Sequence, residues 1–329
     1  MDTVAKSLHD GITVCSVSFN HAEHLRLNQN LADNLNRNPH RSIFWIIGEN
    51  SPDDSRSKLA SDEQGLQVIP GPKGVYKPNL HHALSLNSCI ELVGTRYLLV
   101  LDPDFYIIRD NWADSVISYM MENDLAFFGV PWHPKYTSKY RYFPCVHCMF
   151  VDLRKVPANE LDFRPISASQ APIEPKAERD AQTNRGLFTR ILASALPGRD
   201  VGRAYKDTGT RVFLRHAFRS DIRFETAVAF YDPVDERKLH ATVKQTIAER
   251  LLPESLCYLP KRAGYYVPFD FASVTKPNLM LPRHWEQFFW KGGPFGFHLR
   301  GNSGRRDRDG ATDFMHLRRV LDHVLGHRH

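Results

Sequence analysis

Three short runs of nearly uninterrupted apolar, β-favouring residues set the first constraint on this chain: Gly11–Phe19 (GITVCSVSF), Ser42–Ile47 (SIFWII) and Arg96–Leu101 (RYLLVL). Runs of that length and character suit strands buried on both faces of a sheet. Between them lie segments with helical character, Leu25–Leu35 and Leu80–Leu92, and a shorter stretch, Leu66–Ile69, that reads as a further strand. This alternation of strand and helix predicts an α/β chain with a doubly wound, mostly parallel sheet. Such sheets collect ligands beyond the carboxyl ends of their strands. Phe19-Asn20, Glu49-Asn50 and Asp102-Asp104 all fall at those ends. One rim of the sheet therefore carries three polar clusters, the pattern of a nucleotide site.

The sharpest of the three is Leu98–Phe105, LLVLDPDF. Two carboxylates two residues apart, where a buried strand stops, can jointly face a hard divalent cation such as Mg2+ or Mn2+. The ion would bridge them to a diphosphate and stabilise the leaving group. A solvated acidic turn is the commoner meaning of Asp-x-Asp taken alone.

Composition narrows the partners. Forty-three basic against 37 acidic side chains leave a formal charge of +6 over 329 residues. That modest excess suits an anionic small substrate or an acidic membrane surface and does not indicate nucleic-acid binding. Cys15, Cys89, Cys145, Cys148 and Cys257 are an odd set in a chain of this length, which argues against a disulfide framework and for a reducing compartment. Without a visible signal peptide or long apolar run, the expected location is cytoplasmic. The C-terminal segment Thr312–Leu325 has Phe314, Leu317, Val320, Leu321 and Val324 at helical spacing, with Arg318, Arg319, His327 and Arg328 nearby. Such a helix can touch acidic lipid as a peripheral contact; packing on its own domain is the commoner use.

The order ITVCSVSFN, IIGENSPDDS, then HHALSLNSCIELVGTRYLLVLDPDF resembles the family 2 glycosyltransferases of GT-A fold over roughly the first 105 residues. In that family a first strand ends in a Ser/Thr-Tyr/Phe-Asn element and a second in an Asp-Asn-Ser turn. A helix with Ala-x-Asn then leads to the strand bearing Asp-x-Asp. The resemblance implies a Rossmann-like, mostly parallel central sheet flanked by helices, with a C-terminal extension. It further implies a nucleotide-sugar donor, a saccharide or lipid-linked acceptor, and Mn2+ or Mg2+ as cofactor. By position, Ser18, Phe19, Asn20, Glu49, Asn50, Ser51, Asn87 and Asp102 would line the donor nucleotide. Glu49 stands where the family has Asp against the base, and Ser85 replaces the Ala of Ala-x-Asn. Asp104 would be the direct metal ligand, with Asp102 near ribose and metal.

Two later elements extend the resemblance. Gly198–Leu214 (GRDVGRAYKDTGTRVFL) is similar to the stretch holding the catalytic base of inverting members; it aligns Asp200 with that base and puts Arg199 where Glu is usual. The plainer use of Asp200 is a helix cap. His298, in the Gly-rich FGFHLRGNS, matches the third metal ligand that many GT-A enzymes draw from their C-terminal part, and Arg300, Arg305 or Arg306 could reach a diphosphate. Cys145-x-x-Cys148 around His147 hints at zinc, but a single CxxC is more often a buried thiol pair. Trp132 and His133 could meet a sugar face, and His81 and His82 the diphosphate, against the plainer readings of packing and a solvated helix start.

Residues 9–215 read as the nucleotide-sugar-binding and catalytic domain and 216–329 as a helical and loop extension completing the active site. Within these, Arg211–Leu214 reads as a strand, His284–Asp309 as a loop, and Leu187–Ala195 and Glu236–Leu252 as helices. A sugar-phosphate nucleotidyltransferase is one rival, opposed by SFNHAEH where a Gly-rich basic loop belongs. A non-catalytic sugar-binding relative is the other, kept open by Glu49 and Arg199.

Overall fold

Residues 8–37, 40–56, 58–60, 63, 65–74, 77–133, 143–166, 207–230, 285–299 and 310–326 are described by the structure, a computed structural model. The first sheet is built from β1 (His9–Ser18), β2 (Ser42–Glu49), β3 (Gln67–Pro70), β4 (Thr95–Leu101), β6 (Phe127–Gly129), β7 (Cys148–Asp152) and β8 (Phe224–Thr226). Their spatial order is β3-β2-β1-β4-β7-β6-β8. β1, β2, β3 and β4 run parallel, as the alternation of strand and helix requires. Among the described strands of this sheet, β7 alone runs against its neighbours, β4 and β6, while β8 is parallel to β6. The expected mostly parallel central sheet is present. Helices α1 (Ala22–Leu35), α2 (Pro78–Glu91) and α3 (Trp112–Glu122) flank it.

Burial explains the strand choices. Every residue of β1 from Gly11 to Ser18 is buried, as are the last five of β2 and nearly all of β4. α2 packs against β1 and β2, and consecutive residues of these strands are buried on both faces, which is why the sequence shows runs rather than alternation. Phe127, Phe128, Phe143 and Phe150 are fully buried around β6 and β7. Each such side chain withdrawn from water is worth about 1.5–3 kcal/mol; Phe127 and Phe143 pack together toward Phe213 and Phe224, whereas Phe128 faces Trp290 and Phe295.

What packs there is a second, antiparallel sheet. β5 (Phe105–Ile107) follows Asp104 directly and pairs with β11 (Gly293–His298), which pairs with β10 (Glu286–Trp290) and then β9 (Val228–Ala229). The Gly-rich region read as a loop therefore forms, in its described part, a β-hairpin. Its two-residue turn is Lys291-Gly292, both at positive φ (48° and 71°), the primed-turn geometry that matches strand twist. The missed signal was the aromatic content of Gln287–Trp290 and Phe295–Phe297, which favours strand. Arg211–Leu214 is likewise not a strand but part of α4 (Thr210–His216), entered through Gly209 at φ 83°. Its short apolar run buries Val212, Phe213 and Leu214 together, a case periodicity alone cannot assign.

The chain beyond 215 thus supplies β8 to the first sheet and most of the second. The C-terminal helix α5 (Gly310–Gly326) buries Leu317, Val320 and Leu321. It lies on α1, with Arg318 paired to Glu23 and Phe314 edge-on to His24 at 5.2 Å. Its neighbour Trp285 stacks on Phe297 of β11 at 5.1 Å, so the helix also backs the hairpin. Among the described residues no helix is long and apolar enough to cross a membrane. Leu187–Ala195, Glu236–Leu252 and the 166–185 loop fall largely or wholly outside the described residues.

Candidate functional site

β4 ends at Leu101, and the chain turns at once through Asp102-Pro103-Asp104 into β5. That turn is pinned on several sides. Phe105 N–H donates to the Asp102 carbonyl at 3.0 Å, and Asp102 N–H donates to the His147 carbonyl at 3.0 Å. The Asn28 amide on α1 donates to the Pro103 carbonyl at 2.8 Å, and Leu299 N–H donates to the Asp104 carbonyl at 2.9 Å. Four backbone anchors from three directions fix where the two carboxylates project.

They project into a cluster of histidines. His298, the last residue of β11, places Nε2 3.1 Å from Asp104 Oδ1 and Nδ1 3.0 Å from Glu286 Oε2. Register accounts for this: His298 is opposite Phe105 on one side and opposite Glu286 on the other. His147 immediately precedes β7, whose Cys148 is opposite Leu101, so it arrives beside Asp102 with Nε2 3.7 Å from Oδ2. The His147 and His298 rings lie 4.1 Å apart. Asp102, His147 and His298 each offer one ligand atom within 4.8 Å of the others. His82, on α2, approaches Asp102 at 3.8 Å.

The electrostatics follow from burial and partners. Burial opposes charge on His298, but Asp104 and then Glu286 on its two nitrogens push its pKa up to about 10. Burial alone would raise Asp104, yet the adjacent His298 holds it well below the usual carboxylate range. His82 and His24 are driven the other way, to about 4, by burial, with His21 reinforcing it and Asp104 opposing. An acidic pocket edged with imidazoles is suited to a cation, and its carboxylate and imidazole donors fit a divalent one.

The expected site residues divide by what they touch. Asp102, Asp104 and His298 come together. Ser18 and Glu49 end adjacent parallel strands, paired in register. Asn20 takes a left-handed φ of 60°, which Asn tolerates better than most residues. Its N–H donates to Ser51 Oγ at 2.7 Å, and Ser55 Oγ donates to its side-chain oxygen. Glu49 accepts from Ser51 N–H and from Leu59 N–H, both at 2.7 Å. Its carboxylate therefore braces the 50–59 loop. Asn50 buries its side-chain oxygen beneath Gly71, where a Cβ would sit 2.0 Å from it. Phe19 stands 40% exposed at the strand tip on the same rim.

Asn87 points elsewhere. Its amide donates to Asp162 Oδ1 at 3.2 Å and accepts from Phe163 N–H at 3.0 Å, tying α2 to the chain after β7. Asp200, Arg300, Arg305 and Arg306 lie outside the described residues. Trp132 is buried edge-on to His147 at 4.4 Å, and His133 bonds the Phe230 carbonyl at 2.7 Å, so both are packed into the core. Burial, then Cys145 and Asp102, push the Cys148 thiol well above its ordinary value, which disfavours a thiolate ligand there. The residues that sequence reasoning underweighted are His147 and Glu286. The first was legible only as part of CxxC, because its proximity to Asp102 depends on β7 running antiparallel to β4.

No protein-family model and no curated protein matches the chain. Several solved structures do. The likeness is loose. Staphylococcus aureus TarS, residues 1–349, aligns at 13% identity with a TM-score of 0.33, covering 48% of this chain and 52% of that one. The chain thus spans about half of that structure. The mannosyltransferase PcManGT from Pyrobaculum calidifontis, in complex with GDP-Man and Mn2+, aligns at 10% identity and TM-score 0.34 over 76% of this chain and 79% of its own. The galactosyltransferase LgtC, in complex with donor and acceptor sugar analogs, aligns at 11% and 0.30 over 45% and 62%. What the site can do follows from this chain's own residues.

Proposed function

We propose that the chain is a metal-dependent glycosyltransferase that moves a sugar from a nucleotide-diphosphate sugar to an acceptor hydroxyl. One observation carries the reading: Asp102, Asp104 and His298 converge where β4 ends, on the rim that also holds Phe19-Asn20 and the Glu49–Ser51 turn. A divalent cation, Mn2+ or Mg2+, held by these side chains would neutralise the diphosphate and stabilise the nucleoside diphosphate as it leaves.

The protein's own groups then have separate tasks. Glu286 holds His298 so that its Nε2 faces Asp104. Glu49, Ser51 and Asn20 hold the 50–55 loop as one wall of the nucleotide pocket. Phe19 offers a ring face to a base. His82, kept neutral by burial, can donate a hydrogen bond to a phosphate oxygen without a full charge. Asp200 is proposed as the base that takes the acceptor proton, with inversion at the anomeric carbon; its support is the sequence resemblance. The acceptor is a saccharide or lipid-linked hydroxyl, in polysaccharide, glycolipid or other glycoconjugate synthesis. Action is in the cytoplasm, with α5 as the surface that could approach a membrane.

A thermal-shift screen of nucleoside diphosphates, each with and without Mn2+, tests the reading. A ligand that prefers the native state raises its stability, so one base should stabilise the chain only when the metal is present. Metal-independent shifts, or none with any base, contradict it. Release of pyrophosphate rather than nucleoside diphosphate in turnover would transfer the assignment to a nucleotidyltransferase.

A further inference from the structure

We infer that the ion at this site is held by two imidazoles, His147 as well as His298, and that the second nitrogen makes the site select a first-row transition ion over Mg2+. This rests on the proposed metal-dependent reading and adds the identity of the ion.

Position argues for His147 as a ligand. Its backbone carbonyl accepts from Asp102 N–H at 3.0 Å, so side chain and carboxylate leave neighbouring strands at the same level. Its Nε2 is 3.7 Å from Asp102 Oδ2, and its ring lies 4.1 Å from that of His298, inclined by 30°. His147 is 3% exposed, and its ring is met at a steep angle by that of Trp132. A bulky polar ring has been placed deep in a strand junction and fixed there. His298 is oriented just as firmly, because Glu286, fully buried, takes its Nδ1. A carboxylate behind an imidazole is the arrangement that sets tautomer and basicity in nitrogen-ligated metal sites.

Chemistry then selects the ion. Mg2+ is hard, demands near-octahedral oxygen coordination and dehydrates reluctantly, so imidazole nitrogens are poor partners for it. First-row transition ions accept imidazole and carboxylate together. Two nitrogens beside Asp102 and Asp104 therefore penalise Mg2+ where Asp-x-Asp alone would not.

The test uses the full chain loaded with Mn2+, without donor. Pulsed electron paramagnetic resonance counts nitrogens bonded to the ion: two imidazole couplings are expected in the native protein and one in His147→Gln. Titration of the same proteins should show Mn2+ binding weakened by at least about tenfold in His147→Gln, with Mg2+ binding moved by less than about threefold. Gln keeps a polar side chain of similar length, and the native nitrogen count decides the matter even if the variant folds poorly. One nitrogen or none in the native protein overturns the inference while leaving metal-dependent transfer intact, as does an equal loss for both ions. Failure of the native chain to bind Mn2+ even with a nucleoside diphosphate overturns the parent reading as well.

Discussion

Glu286 and His298 sit directly opposite each other on the β10–β11 hairpin, joined Oε2 to Nδ1 at 3.0 Å, and Glu286 has no exposure to solvent. A carboxylate so placed is costly unless it does something for its partner. What it does is fix the imidazole that meets Asp104 on its other nitrogen. The hairpin, remote in sequence from the Asp-Pro-Asp turn, is thereby part of the same site.

Glu286→Gln should keep the size of the side chain but weaken its grip on the imidazole. Mn2+ affinity is expected to fall about 10–100-fold, with the donor-independent fold retained. Calorimetric titration checks this; unchanged affinity would make Glu286 a mere structural acceptor.

The proton on His298 gives a pH signature. Its pKa in the fold is about 10, above the roughly 6.5 of an unfolded histidine. Its contribution to stability is therefore complete below about 6.5 and is lost as pH rises through about 10. His24, His82 and His216 carry the opposite sign, since burial first of all depresses each to about 4. They make the unfolded state bind more protons as pH falls below about 6.5. Metal-free protein should thus melt highest near the middle of this range and lose Tm toward both ends. A Tm that climbs steadily from pH 7 to 10 contradicts the His298 assignment.

Gly296 tests the docking of the hairpin. A Cβ there would lie 2.6 Å from the Tyr106 carbonyl and 2.9 Å from the Phe105 ring, so β11 must move off β5. Gly296→Ala should cost about 1–3 kcal/mol and weaken Mn2+ binding, because His298 is two residues along the same strand. Chemical denaturation and metal titration would show both losses together; a stability loss without a metal effect would separate the hairpin from the site.

The sheet and its rim were legible because buried parallel strands write themselves as apolar runs, and GITVCSVSF, SIFWII and RYLLVL do. Asp102 and Asp104 were readable for the same reason: a strand end needs no tertiary knowledge. His298 needed a family pattern. His147 and Glu286 needed registers, Leu101 against Cys148 and Glu286 against His298, that pair residues 47 and 12 positions apart. The hairpin itself was hidden by its glycines, which suggest loop until the positive φ of Gly292 shows one of them making a turn.

Glu49 illustrates the reverse, a residue whose position was read and whose work differs. Both its oxygens accept buried backbone N–H groups. Shortening it by Glu49→Asp leaves one of them unsatisfied, at about 1–3 kcal/mol. Lower Tm and weaker nucleotide binding are expected together; an Asp variant as stable as the native chain would mean the loop does not depend on this carboxylate.

The most direct measurement is Mn2+ titration of the native chain and of Asp104→Asn, each with and without the nucleoside diphosphate that stabilises the native protein. The native chain should bind metal and nucleotide each more tightly in the other's presence. Asp104→Asn should keep the fold at lower stability and lose that mutual enhancement. Full coupling in the variant would contradict the assignment of Asp104 and, with it, the proposed site.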